Sequence, residues 1–326
     1  MKRARALIAG VLVVVATAAA SASCGDGSGP PRTAANKRTE PTWSDAFDTS
    51  PDLVAVMHPQ AIRHDAVYGP LLGRLSQLAA ARSPAAAATR SLEAFESAEE
   101  VLAALAEDGS GMIVLRGVRA DLDPARIVDA EGRTLWRTTG VPTRVAEYVR
   151  QEGGATASLF VLPERTWVIA VGDARQRARE AFANPSGRPA WKYDRDALVS
   201  VRIAGPALLR HVAKLRATGQ LNALGHHLQS LTLGLPAGKE GSVTATFTYA
   251  DEEAAAIAEV TVRRVVEVIK RSEGTRFRWL ADAVVARDEP RVLTLRTPLP
   301  KELLRDLSRS RDPRDMDDPD LPTPSP

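Results

Sequence analysis

The sequence predicts an α+β fold of two related lobes, each a mixed or antiparallel sheet covered by helices. Three observations predict it. Short β-prone runs pair across turn-forming gaps, as Ala157 to Leu162 and Thr166 to Gly172 do across Pro163, Glu164 and Arg165. Helical patterns follow such strand pairs, an order that suits α+β packing. Two stretches also echo one another. Leu53-Val54-Ala55-Val56 precedes Gly69-Pro70 and a helical face of Leu71, Leu72, Leu75, Leu78 and Ala79. Leu198-Val199-Ser200-Val201 precedes Gly205-Pro206 and a helix carrying Leu208, Leu209, Val212 and Leu215. The echo allows an internal duplication with an insertion in the first copy, because Leu53 to Asp173 is 120 positions and Leu198 to Asp251 is 53.

Within the insertion, Ser97 and Glu100 have the spacing of a capping box before Val101, Leu102 and Leu105, which predicts a helix. Gly111 to Val118 reads as a buried strand. Asp123-Pro124 starts a short helix that Gly132 ends, and Leu135-Trp136 belongs to a further strand. Thr143 is expected to open a helix with Val145, Tyr148 and Val149 on one face. Trp167 to Val171 then leads through Gly172-Asp173 into a helix, as Val243 to Tyr249 leads through Ala250-Asp251 into another. Each Asp is placed to cap the helix after it.

In the second half, Leu228 to Leu235 and Ser242 to Tyr249 flank Pro236-Ala237-Gly238 as a hairpin. The longest helix follows, Asp251 to about Arg271, with Ala254, Ile257, Ala258, Val262, Val265, Val266 and Ile269 facing inward. Acids at its start and Lys270-Arg271 at its end suit the helix dipole. Arg291 to Arg296 is a late strand, and Leu303, Leu304 and Leu307 belong to a closing helix.

The residues able to carry chemistry form no strong motif. His58 and His64 are six apart, which is neither the four-residue spacing of two ligands on one helical face nor a zinc-knuckle spacing. With Asp65 they make the least implausible catalytic cluster. His226 and His227 are adjacent and point apart in a strand or a helix. Gly109-Ser110-Gly111 lacks the spacing of a nucleophile elbow, and no phosphate-binding glycine loop is visible. The paired acids Glu99-Glu100 and Glu252-Glu253 fall where helix starts are expected. Trp136 and Trp167 lie in expected strands, as core fillers in a chain with 5% aromatics rather than as a stacking platform. No catalytic residue, metal ligand or cofactor is assigned.

Charge narrows the partners. Lys2, Arg3 and Arg5 account for the net charge of +3, so without them 40 basic residues face 40 acidic ones. That balance lacks the basic excess that nucleic acid or a polybasic lipid grip requires.

Lys2, Arg3 and Arg5 precede an uncharged, largely apolar run from Ala6 to Ala20, 15 residues long. A membrane-spanning helix takes about 20 residues, so the run suits an export signal. Ser21, Ala22 and Ser23 lead to Cys24, the chain's one cysteine. Over Met1 to Cys24 the sequence resembles the lipobox of bacterial lipoproteins, whose cysteine is acylated and becomes the new N-terminus. The resemblance implies membrane attachment through acyl chains on Cys24. Gly25 at the next position, where enteric lipoproteins of the inner membrane carry aspartate, implies the outer membrane rather than the inner. The other reading of these residues is an ordinary secretory signal cleaved after Ala20 or Ser23, leaving a free thiol, which an oxidising compartment disfavours.

The expected organisation is a signal peptide over 1–23 and a lipid-anchored flexible tether over 24–52. A first lobe over 53–184, a linker over 185–193 and a second lobe over 194–307 follow, and a proline-rich disordered tail closes the chain over 308–326. The function this predicts is a membrane-anchored envelope lipoprotein acting as a non-catalytic binding module, with an envelope protein as its partner. The alternatives are a periplasmic hydrolase whose site assembles in the fold, and a structural spacer of the envelope.

Overall fold

A computed structural model describes residues 43–46, 51–69, 93–106, 110–128, 132–139, 145–152, 155–185, 197–214, 225, 227–237, 241–271 and 278–299. The expected signal peptide, Cys24, most of the tether and the linker, the helix over Leu71 to Ala79, His226, the closing helix and the tail lie outside these residues.

Twelve strands form one antiparallel sheet. In chain order they are β1 (Leu53–Met57), β2 (Glu100–Leu105), β3 (Gly111–Arg116), β4 (Arg137–Thr138), β5 (Ala146–Glu152) and β6 (Ala155–Leu162). Then come β7 (Thr166–Val171), β8 (Ala197–Ala204), β9 (Leu228–Pro236), β10 (Ser242–Tyr249), β11 (Val284–Glu289) and β12 (Val292–Pro298). The order across the sheet is β11-β12-β10-β9-β8-β1-β2-β3-β7-β6-β5-β4. The described helices include α1 (Pro59–His64), α2 (Ala174–Ala183), α3 (Gly205–Lys214) and α4 (Glu252–Arg271), with 3-10 turns at Trp43–Ala46, Pro124–Arg126 and Arg278–Asp282.

This corrects the expectation of two helix-covered lobes. One row of directly paired residues crosses every strand: Thr138, Tyr148, Leu159, Ile169, Ile113, Ala103, Ala55, Val201, Leu233, Ala245, Leu295 and Val285. At about 4.8 Å between strands it runs ~50 Å. The seam where two lobes were expected to part is a full antiparallel pairing of β1 with β8, from Leu53 opposite Ile203 to Met57 opposite Val199. The first echo in the sequence therefore falls on two neighbouring central strands. The second pairs β7 with β10, which hold different places in the order, since β7 lies between β3 and β6 and β10 between β9 and β12.

The reverse face changes character midway. Its neighbouring row reads Arg137, Val149, Ser158, Ala170, Met112, Ala104 and Val54 on one side of the seam. Beyond the seam it reads Arg202, Thr232, Thr246, Thr294 and Ala286. The apolar stretch is roofed by α2 and the turn at Trp43–Ala46, where Trp43, Ala174, Ala178 and Phe182 pack on Val56, Leu102, Met112, Val114 and Phe160. The front face buries Ala55, Met57, Val101, Leu115, Trp167 and Val201 under Ile62, Tyr68, Ile127 and Trp136. Beyond the seam α4 takes over that face, burying Ala254, Ala255, Ala258, Val262 and Val266 against Tyr249, Val285 and Leu293. The strands record the difference. Those buried on both faces are apolar at successive positions, as in Val101-Leu102-Ala103-Ala104, and those covered once alternate, as in Thr244-Ala245-Thr246-Phe247-Thr248-Tyr249.

Four local expectations change. Leu135 and Trp136 lie just before β4 rather than in a strand. Ser97 and Glu100 form no capping box, because Glu100 is the first residue of β2 and the Ser97 hydroxyl donates to the Ala94 carbonyl at 3.0 Å. Val145, Tyr148 and Val149 belong to β5 or its approach, where Glu147 turns inward and breaks the pattern expected of a strand. Asp173 makes no side-chain cap on α2, whereas Asp251 caps α4, its carboxylate accepting from the Ala254 amide at 2.8 Å.

Candidate interaction surface

The side chains that sequence reading weighed for chemistry are dispersed or committed to structure. His58 stands before α1 with its Nε2 buried and without a hydrogen-bond partner, while His64 is exposed at the end of that helix. Asp65 accepts from the amides of Val67 at 2.8 Å and Tyr68 at 3.0 Å, so its carboxylate shapes the turn rather than orienting an imidazole. Glu100 pairs with Arg116 across the β2–β3 ladder at 2.6 Å, and Glu99 meets Arg165 at 3.3 Å. Trp136 and Trp167 are buried in the front core. No group of three or more metal-ligating side chains occurs among the described residues. No helix among them is long and apolar enough to cross a membrane.

A cleft of ≈ 30 Å³ lies between α2 and the sheet, lined by Ala46, Ala104, Ser110, Met112, Ala174 and Arg177. Its one charged group is engaged, since the Arg177 guanidinium donates to the Ser110 hydroxyl at 2.9 Å. The room suits a water molecule rather than a substrate.

Beneath the same helix lies a buried polar network that the sequence did not announce. Ser158 donates to Glu147 at 2.8 Å, Arg179 donates to the same carboxylate oxygen at 2.8 Å, and Arg175 donates to the Ser158 hydroxyl at 3.1 Å. Burial, and then the neighbouring charge of Arg179, push the Arg175 guanidinium below the usual arginine range, and Glu147 opposes them. The network docks α2, because a buried carboxylate is tolerated only when paired and hydrogen-bonded.

The other notable surface is α4. Polar contacts fix it to edge strand β11: Arg287 meets Glu259 at 3.1 Å, and Arg263, which pairs with Glu259 within the helix at 2.9 Å, donates to the Val285 carbonyl at 3.0 Å. At its start His227, with φ of 57°, places Nδ1 2.5 Å from the Asp251 carboxylate that caps the helix. The helix shows apolar residues outward as well as inward, with Ile257 50%, Val260 69% and Val268 57% exposed. Ile257 was expected inside, and Ala255 takes the inward place instead.

No protein-family model matches the chain, and no curated protein matches it. Among solved structures, that of TP0453 in crystal form I is similar, with a TM-score of 0.48 and 14% identity, covering 83% of this chain and 96% of that one. A likeness of that degree carries no argument about what this chain does.

Proposed function

We propose that the chain is a bacterial envelope lipoprotein, held at a membrane by acyl groups on Cys24, whose folded body acts as a non-catalytic interaction module. The observation that carries this reading is the order of the first residues. Lys2, Arg3 and Arg5, a 15-residue uncharged and largely apolar run, and three small residues lead directly to the chain's one cysteine. Buried methylenes contribute ~0.8 kcal/mol each, so two or more acyl chains hold a water-soluble body that one chain holds only marginally. The interaction reading is supported by what the body does with its polar groups. Asp65, Glu100 and Glu147 hold turns, ladders and a helix in place, and the twelve-stranded sheet offers broad faces.

The test is Cys24→Ser in the full chain, with cells fed labelled palmitate and then fractionated. The native chain is expected to carry label and sediment with membranes, and the variant to lose both. Membrane recovery of the variant equal to native, with no label in either, overturns the proposal. Crosslinking in intact envelopes then reads the module half of the proposal, which recovery of no partner above background would defeat.

A further inference from the structure

We infer that the outward stripe of α4, formed by Ile257, Val260 and Val268 with Arg264 and Arg271 among them, rests on the lipid surface to which the chain is tethered. The inference rests on the reading of Cys24 as an acylated anchor. A helix that packs on a sheet needs one apolar stripe, and α4 has it in Ala254, Ala255, Ala258, Val262 and Val266. At about 100° per residue, Ile257, Arg264 and Val268 lie within ~40° of one another, with Val260 beside them, roughly opposite the buried stripe. Three of the five large hydrophobic side chains that stand exposed among the described residues belong to this line. Folding alone does not require them there.

The shape of the stripe selects its occupant. A second copy of the chain, or any folded partner, needs on the order of 20 residues a side to hold stably. Ile257 to Val268 is a thin line about 16 Å long. A bilayer interface needs no matching relief and accepts aliphatic side chains to a depth of ~5–10 Å along a helix lying in its plane. The charges lean the same way. Glu252, Glu259 and Glu267 are engaged by Arg287, Arg263 and Lys270. Among the described residues that leaves Arg264 and Arg271 without a carboxylate partner, against Glu253, one turn before Ile257, as the carboxylate of α4 without a cation. Arginines flanking an apolar line can lay their methylenes along it and reach lipid phosphates with their guanidinium heads.

Tethering makes so small a contact effective. From Cys24 to Trp43 is 19 positions, which at full extension reach roughly 60 Å. Once the acyl chains are inserted, the helix meets the membrane as an intramolecular event at high effective concentration.

The experiment uses the acylated full chain, in which a substituted cysteine is the one free thiol. Val260→Cys and, on the reverse face, the exposed Arg202→Cys each carry an environment-sensitive dye. Each protein is purified from membranes and reconstituted in vesicles of phosphatidylcholine and phosphatidylglycerol containing acyl-chain-brominated lipid. About twofold quenching of the dye at 260, with none at 202, is the expected result. Equal quenching at both sites, or none at 260, overturns the inference. A dye at 260 that is shielded from brominated lipid in a concentration-dependent way overturns it in favour of a second copy. Failure of the anchor reads separately, as an unmodified Cys24 by mass and recovery from the soluble fraction. In that case the same dyes on a Cys24→Ser background, added to the same vesicles, still decide whether α4 meets lipid.

Discussion

Tyr68, in the turn after α1, and Ser242, the first residue of β10, are 174 positions apart and exchange two hydrogen bonds. The tyrosine hydroxyl donates to the Ser242 carbonyl at 3.0 Å and accepts from the Ser242 amide at 2.9 Å. Both residues are buried. The pair clamps the first half of the chain to the second, reaching past β8 and β9 to β10. Tyr68→Phe removes the hydroxyl and leaves a backbone donor and acceptor without it, at a cost of ~1–3 kcal/mol. In urea, the native chain is expected to show coincident transitions by tryptophan fluorescence, which reports on Trp136 and Trp167 among others, and by far-UV circular dichroism. The variant's transitions should move together to lower urea. A variant in which the two signals separate would mean that the halves fold independently.

Glu147→Ala tests the network under α2. Without the carboxylate, Arg179 and the Ser158 hydroxyl lose their acceptor, and the neighbouring charges of Arg175 and Arg179 lose the one that opposes them. The expected loss is ~3 kcal/mol, the low end of the range seen when one partner of a buried pair is removed, because the Arg179 side chain is 38% exposed. Glu147→Gln keeps an acceptor for Ser158 and Arg179 and should lose less. Chemical denaturation of the three proteins side by side checks the order.

Stability should fall at alkaline pH through Tyr249. Burial under α4 pushes its hydroxyl from 10.0 up to about 12. A group whose folded value lies above its unfolded one contributes fully below the unfolded value, and the contribution is lost as pH rises through the folded one. The window is therefore pH 10 to about 12, and the amount is on the order of 2 kcal/mol. Tyr68 is raised as well, chiefly by burial, and adds in the same direction. Thermal melts across this window should show a steeper decline for the native chain than for Tyr249→Phe.

How legible the fold was depends on which side of the seam a strand lies. Beyond it, α4 and the hairpin of β9 and β10 stood out, because strands covered on one face alternate and a long helix keeps one period. Before it, Val101-Leu102 and Leu105 fit a helical spacing as well as a strand buried on both faces, and periodicity cannot separate the two. β5, with Ala146, Glu147, Arg150 and Gln151, carries helix-favouring residues, and its one buried charge is explained only by Arg179, 32 positions away. β11 went unnoticed because Arg287, Asp288 and Glu289 look like a loop until Arg287 is seen reaching Glu259 on α4. The single sheet was hidden for a related reason. The pairing of β1 with β8 joins runs 145 positions apart, and the echo between them reads equally well as two neighbours or as two separate lobes.

The Gly-Pro pairs that marked the two expected helix starts point to a last measurement. Gly205 opens α3 directly against the start of β9, so closely that a Cβ at this position would overlap the Leu228 carbonyl oxygen. Leu228 is itself buried beneath α4, and it pairs with Tyr249 across the β9–β10 irregularity, so the strand has little freedom to retreat. Gly205→Ala should therefore act through forced separation of α3 and β9, costing ~1–3 kcal/mol as overpacking does elsewhere. Gly132, with φ of 78°, provides the contrast. A Cβ there meets nothing within 4 Å, so Gly132→Ala is burdened only by its backbone conformation. Hydrogen exchange separates the two effects: Gly205→Ala should speed exchange along β9 and at its β8 neighbours, while Gly132→Ala should leave both strands as they are. Unchanged protection of β9 in Gly205→Ala would show that the close approach of helix and strand is not what this glycine supplies.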